Sequence, residues 1–163
     1  MIDLCVIRAD YSVSFNEPLI TIFCRDEEKN LVTVKVSGFK PYCYVPVFET
    51  EQIHNCGGVI DRTVTYLAID GVPVYKVKFR SPNGVRRLRD MGITVYEGDI
   101  PYPNRFLIDR GIMRGIRVPR KPVMKGKPID YREIEPVTMD VDPRICVLDI
   151  ECDTSRGFPK AER

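Results

Sequence analysis

Apolar and polar residues alternate along the first part of the chain with a period close to two. Leu4 and Val6, then Leu19, Ile20, Ile22 and Phe23, fit two short strands about the turn-like Asn16-Glu17-Pro18. Residues 31–36 alternate cleanly and Gly38 ends the run. Residues 41–47 have strand composition, but Pro41 and Pro46 confine them to an edge or an interrupted strand. Residues 49–56 read as a short helix closed by Gly57-Gly58. Residues 59–69 and 72–79 are β-rich runs separated by Asp70-Gly71, which predicts a hairpin with a type I′ turn and positive φ at both central residues. Ser81-Pro82 reads as an N-cap followed by proline at the first helical position, with the helix running to Met91 and stopped by Gly92. Residues 93–96 fit a short strand. Pro103 opens a second helix that Gly111 closes, and Arg105 and Asp109 are spaced to pair on it.

From residue 111 to 143 the pattern breaks at Pro119, Pro122, Pro128, Pro136 and Pro143, and basic residues fill the gaps. This stretch reads as a connection with one strand near 131–137. Ile145-Cys146-Val147-Leu148 is then a dense apolar run of the kind found in a strand buried on both faces. The change of texture places a boundary near Met139.

Composition narrows the class. A chain of 163 residues with 44% apolar and 29% charged residues has the makeup of a globular domain, not of a disordered, collagenous or coiled-coil chain. No run approaches the roughly 18 apolar residues of a membrane span. The N-terminus carries Asp3 and Asp10 and lacks the apolar stretch of a secretory signal. Six cysteines with no CxxC pair, and a single histidine, His54, argue for reduced, mostly buried thiols in a cytoplasmic protein and against a zinc site. Charge is unevenly placed. Residues 76–89 hold six basic residues and no acid, and residues 105–132 hold nine against Asp109 and Asp130, while the whole chain carries only +2. Two basic blocks in an otherwise acidic chain suit a polyanionic partner, although a solvated basic face accounts for them equally well.

Asp149 and Glu151 stand at i and i+2, so on a strand both carboxylates leave by one face. Such a pair calls for a proton or a hard divalent cation, Mg²⁺ or Mn²⁺, between the two groups. Two-metal nucleases use this arrangement around a scissile phosphate, but a strand end running into solvent gives the same spacing. Tyr11, Phe39, Tyr42 and Tyr44 lie near basic residues and are either core or stacking platforms for bases. One histidine leaves no room for most triad chemistry.

Four segments together carry a resemblance: FKPYCYV (39–45), VYKVKFRSPNGVRRLRD (74–90), VYEGDIPYPNRFLIDRGI (95–112) and ICVLDIEC (145–152). In this order, with the third about 40 residues before Asp149-Ile150-Glu151, they resemble the N-terminal part of an archaeal family B, replicative-type DNA polymerase. The resemblance implies a template-binding N-terminal domain over 1–138, with an α+β fold of mixed or antiparallel β-sheet and a few short helices, and, over 139–163, the first strand of an RNase H-like 3′–5′ proofreading exonuclease. Asp149 and Glu151 match its first metal-binding motif, with Cys152 where threonine is usual. The later exonuclease carboxylates and the polymerase palm are not in this sequence. The parent polypeptide is then the enzyme, using Mg²⁺ or Mn²⁺ and a sliding clamp, and this chain alone is expected to be inactive and to hold no metal tightly. Arg86, Arg87, Arg89, Arg117 and Lys121 are the expected contacts to single-stranded template DNA.

Archaeal members of that family also sense template uracil. The matching positions are Tyr11, Pro41, Tyr42, Pro82, Val85, Ile100, Pro101, Tyr102 and Arg105. A captured base needs a narrow slot with apolar walls and amides at its edge, and prolines give stiff walls without competing N–H donors. Uracil lacks the 5-methyl of thymine, so thymine must be excluded sterically. Amides near Tyr42 and Ile100 are placed to read the base edge, Val85 is expected to be half exposed at the slot, and Arg105 to hold a phosphate or brace the slot through Asp109. Two other classes remain open: a free-standing metal-dependent nuclease, and a non-catalytic nucleic-acid-binding accessory subunit.

Overall fold

The computed structural model describes residues 1–14, 17–142 and 147. Asp149 and Glu151, with Cys146 and Cys152, lie outside the described residues. The strands are β1 (Ile2–Ser14), β2 (Glu17–Arg25), β3 (Leu31–Ser37), β4 (Tyr42–Pro46), β5 (Val59–Leu67), β6 (Pro73–Lys78), β7 (Gly115–Val118), β8 (Ile129–Asp130) and β9 (Glu135–Val137). The helices are α1 (Asn83–Asp90), α2 (Tyr102–Asp109) and α3 (Arg120–Met124), with 3₁₀ segments at Val47–Cys56 and Tyr131–Glu133.

Two sheets result. The first has six strands in the order β8-β3-β2-β1-β7-β9, antiparallel except where β8 runs parallel to β3. The second is antiparallel, in the order β4-β6-β5. The fold is α+β with mixed and antiparallel sheets, as the resemblance implies. On the first sheet Ile20, Ile22 and Cys24 of β2 and Val32, Val34 and Val36 of β3 point inward in strict alternation. They meet Phe39, Phe106 of α2 and Val123 of α3 in one core. Cys43, Val45 and Val77 of the second sheet pack with Ile53, Phe79, Val85 and Leu88 in another. Tyr42, buried in the first core while its neighbour Cys43 belongs to the second, carries the chain between them.

Several local expectations change. β1 and β2 are far longer than two short strands, since they form a ladder from Cys5↔Arg25 to Ser14↔Glu17 with a bulge between Val6 and Arg8. The β5–β6 hairpin exists, but its turn is not type I′. Left-handed φ is confined to Gly71 (φ +83°), Gly71 N–H donates to Ala68 O, and the Asp70 carboxylate accepts Val72 N–H. Asp70 thereby avoids the positive φ that costs an L-residue about 1–2 kcal/mol. Ser81 does not close a tight cap on α1, its hydroxyl lying 3.5 Å from Asn83 N. Residues 93–96 form only an isolated bridge, Tyr44↔Tyr96.

The larger correction concerns 111–142, where the strand expected near 131–137 appears as β9 but is not alone. This stretch is a structural part of the first sheet, because β7 pairs along β1 from Ile2↔Val118 to Cys5↔Gly115 and carries β9 on its other side. Its prolines sit where strands and helices accept them: Pro119 precedes α3, Pro122 lies in the first turn of that helix, and Pro136 is in the edge strand β9. Ile116 is fully buried. Ile116→Ala should therefore cost about 2–5 kcal/mol, as much as Ile22→Ala, in urea unfolding. A cost near that of an exposed substitution would return this segment to the status of a linker.

Cys5, Cys24, Cys43 and Cys56 are buried free thiols, and burial pushes Cys24 and Cys43 up to about 12, so they stay protonated and unreactive. His54 is exposed. Among the described residues no three His, Cys, Asp or Glu side chains gather as a metal site, and no helix is long and apolar enough to cross a membrane.

Candidate nucleobase-binding cavity

Tyr11, Pro41, Tyr42, Pro82, Val85, Ile100, Pro101, Tyr102 and Arg105 come from four separate stretches of chain, and all nine line one cavity of about 240 Å³. Arg86, Arg89, Glu97, Gly98 and Asp99 complete its lining. Each wall has a local cause. β1 delivers Tyr11, whose ring meets Tyr102 edge-on at 5.5 Å. β4 delivers Tyr42 directly after Pro41. α1 turns Val85, Arg86 and Arg89 toward the cavity, while α2 starts after Pro101 and presents Tyr102 and Arg105.

The polar ends of the two aromatic walls are already engaged. Tyr42 donates its hydroxyl to both carboxylate oxygens of Asp109, at 2.8 and 2.9 Å. Tyr102 donates to Phe39 O at 2.7 Å. Burial, reinforced at Tyr42 by Asp109, pushes both hydroxyls well above the ordinary tyrosine range. The rings thus offer apolar surface, and Pro41, Pro82 and Pro101 have no N–H to offer.

Arg105 is the buried charge of the site, 7% exposed. Sequence spacing pairs it with Asp109, but the structure pairs it with Glu97: Nη1 lies 2.7 Å from Glu97 Oε2, and Nη2 donates to Glu97 O at 3.2 Å. Asp109 is turned to Tyr42 instead. The Arg105 guanidinium also lies 4.9 Å from the centre of the Tyr42 ring, and the Lys76 ammonium 3.5 Å from it. Burial opposes the Arg105 charge, but Tyr42, Glu97 and Asp109 together hold it more firmly protonated. At Lys76 burial wins and lowers the pKa. Glu97 sits at φ +57°, a left-handed position uncommon for a glutamate, and Arg105 holds both its backbone oxygen and its carboxylate. The next residue must be glycine, because a Cβ at Gly98 would fall 2.5 Å from Val95 and 3.0 Å from Val85. Glu97 and Gly98 were not anticipated as part of the site; their sequence signal is the Glu-Gly-Asp turn directly before Ile100.

Val85 is 8% exposed, not half exposed, because its other side packs in the second core. The expected DNA contacts divide. Arg86 and Arg89 stand at the cavity, with Arg86 only loosely paired to Asp90 at 3.9 Å. Arg87 is exposed on α1 but lines a different concavity with Arg80 and Ser81. Arg117 is held by Asp3 through two hydrogen bonds of 2.7 and 2.8 Å, in a concavity that also contains Asp26, Glu27 and Glu28. Lys121 is exposed on α3.

The chain has named relatives. It is 26% identical to a DNA polymerase of Archaeoglobus fulgidus over 97% of this chain and 22% of that protein. It is 27% identical to a DNA polymerase of Pyrococcus glycovorans over 66% of this chain and 16% of that protein. Among solved structures, the family B DNA polymerase of the hyperthermophilic archaeon Pyrobaculum calidifontis matches 88% of this chain and 21% of that one, with a TM-score of 0.64 and 22% identity. No family model matches. The chain is thus homologous to archaeal DNA polymerases and shares the fold of a family B polymerase over most of its length; it spans about a fifth of the length of these relatives.

Arg105→Met should lower stability by about 1.5–3 kcal/mol, the worth of a hydrogen bond to a charged group, seen as a lower urea midpoint at unchanged slope. Arg105→Lys should recover little of it, since a point charge cannot hold the carboxylate and the backbone oxygen together. Full recovery by lysine would show that the fork geometry is irrelevant.

Proposed function

We propose that this chain is the N-terminal part of a DNA polymerase, that it binds single-stranded template DNA, and that it captures uracil from that strand in the cavity between α1 and α2. The observation that carries the reading is the convergence of all nine expected positions on one cavity. Arg86 and Arg89 at the rim attract the phosphates of the entering strand. A base already unpaired in a single strand enters at low cost. Tyr42, Tyr102 and the prolines enclose it with apolar surface, and main-chain groups, with the Tyr42 and Ile100 amides as the proposed donors, read its edge. Gly98, wedged against Val85 and Val95, stiffens the wall that a 5-methyl group would strike.

Polymerisation, proofreading through Asp149 and Glu151 with Mg²⁺ or Mn²⁺, and contact with a sliding clamp are proposed of the parent polypeptide, not of this chain. The nuclease reading gains no support from the described residues, where no acidic cluster completes a site.

The test is a fluorescence-anisotropy titration with oligonucleotides that differ only in one uracil or thymine. Uracil should bind at least about tenfold more tightly, the range in which one methyl group discriminates. Val85→Leu, which adds volume at the wall without burying a charge, should abolish the difference while the strand still binds. Equal affinity for uracil and thymine in the unmodified chain refutes the capture.

The strand-binding half is tested by salt dependence. Arg86→Gln and Arg89→Gln should each reduce the log–log salt slope by about 0.7, the contribution of one neutralised phosphate on a single strand. Arg117→Gln should leave it unchanged, because Asp3 occupies that guanidinium. A reduced slope for Arg117→Gln alone would place the strand on the opposite basic block.

A further inference from the structure

Beside the first cavity lies a second cleft of about 370 Å³, lined by Tyr44, Tyr66, Leu67, Ile69, Val74 and Tyr96, with Glu97 shared between the two. Ladder pairing puts Tyr42 opposite Lys78, Tyr44 opposite Lys76 and Tyr66 opposite Val74, so these side chains share one face of the second sheet. The opposite face, with Cys43, Val45 and Val77, is core. The Tyr42 end of the first face is covered by α2 through Asp109 and Arg105. At the Tyr66 end it is open: Tyr66 is 38% exposed and Leu67 and Ile69 more so. Tyr44 meets Tyr42 edge-on at 5.7 Å and Tyr66 at 5.1 Å, giving a continuous aromatic row from one cavity to the other.

We propose that this row is a stacking platform for the same DNA strand, and that the Tyr44–Tyr66–Tyr96 cleft takes the base next to the one held in the first cavity. The inference rests on the proposed capture of a base there. Charge favours this occupant. Lys76 lies along the row, stacked on the Tyr42 ring, and Lys78 lies beyond it, paired with Asp61 at 3.1 Å on the exposed surface, so Lys76 is the cation nearest the path of the phosphates. The cleft lining has no basic residue and one acid, Glu97, which is engaged with Arg105, while the neighbouring Asp70 accepts the Tyr96 hydroxyl at 2.7 Å. A neutral base is therefore accepted where a phosphate is repelled. Tyrosine faces stack any base, so the platform adds affinity without choosing a sequence.

The experiment uses the whole 163-residue chain and oligonucleotides carrying one uracil, with an abasic spacer immediately 5′ or 3′ of it, in anisotropy titrations at one fixed salt. The spacer on one side should weaken binding about 5- to 150-fold, as one lost base stack implies. Tyr66→Ala should weaken binding of the intact strand similarly, Tyr66→Phe should not, and in Tyr66→Ala the spacer should cost nothing more. Unchanged affinity with spacers on both sides, or losses that multiply independently, overturns the platform; a cleft built for an apolar protein segment gives the first of these results. If uracil and thymine bind alike while the Tyr66–spacer coupling persists, the capture reading falls and the platform stands. A uracil preference without coupling leaves capture standing and removes the platform.

Discussion

The site depends on one buried cation. Arg105 on α2 reaches the carboxylate and the backbone oxygen of Glu97 and lies against the ring of Tyr42, whose hydroxyl is taken by Asp109 one turn further along the same helix. α2, resting on the first sheet, is thereby tied to β4, at the edge of the second, and to the 97–101 loop that leads into α2, which the Tyr44–Tyr96 bridge already holds beside β4. Taking a guanidinium out of water costs several kcal/mol. The cost is tolerable here because Glu97 remains partly solvated and a tyrosine face supplies further stabilisation. Hydrophobic residues in its place would pack as well but would leave Glu97 without support in its left-handed conformation. The charge therefore contributes both stability and geometry.

That network also shows where sequence reading succeeded and where it stopped. The strands of the first 80 residues were legible because burial on one face writes a period of two, as at Ile20, Ile22 and Cys24. The helix ends were legible from Gly92 and Gly111. The cavity residues were legible only through the resemblance, since periodicity cannot tell a wall residue from a core residue. Val85 shows why: it is both, with one side in the second core and the other facing the cavity.

The failures have physical causes. Arg105 and Asp109 obey the four-residue helical spacing, yet each finds a stronger partner from outside the helix, and such partners are invisible to local spacing. The turn at Asp70-Gly71 departs from type I′ because an aspartate that can accept Val72 N–H gains by keeping a negative φ. The stretch 111–142 has the pattern of a linker because dense prolines resemble irregular chain. Proline is excluded from central ladders but welcome beside them, and the four-residue strand β7 between Ile112 and Pro119 is too short for its alternation to stand out, although it completes the first sheet.

The proposed discrimination of uracil from thymine by a missing methyl group would make a specific demand on this architecture. A pliable wall would yield to the methyl, and the difference would shrink to the fraction of a kcal/mol that relaxation leaves. The walls here are stiff for separate reasons. Pro41, Pro82 and Pro101 fix their own φ. Tyr42 and Tyr102 are tethered at both ends, by their rings in the core and by their hydroxyls on Asp109 and Phe39. Gly98 admits no side chain between the loop and α1, so the loop rests directly on Val85 and Val95. A base can be rejected for one extra carbon only by a surface that cannot move away from it, and each contact that Arg105 makes acts to keep that surface in place.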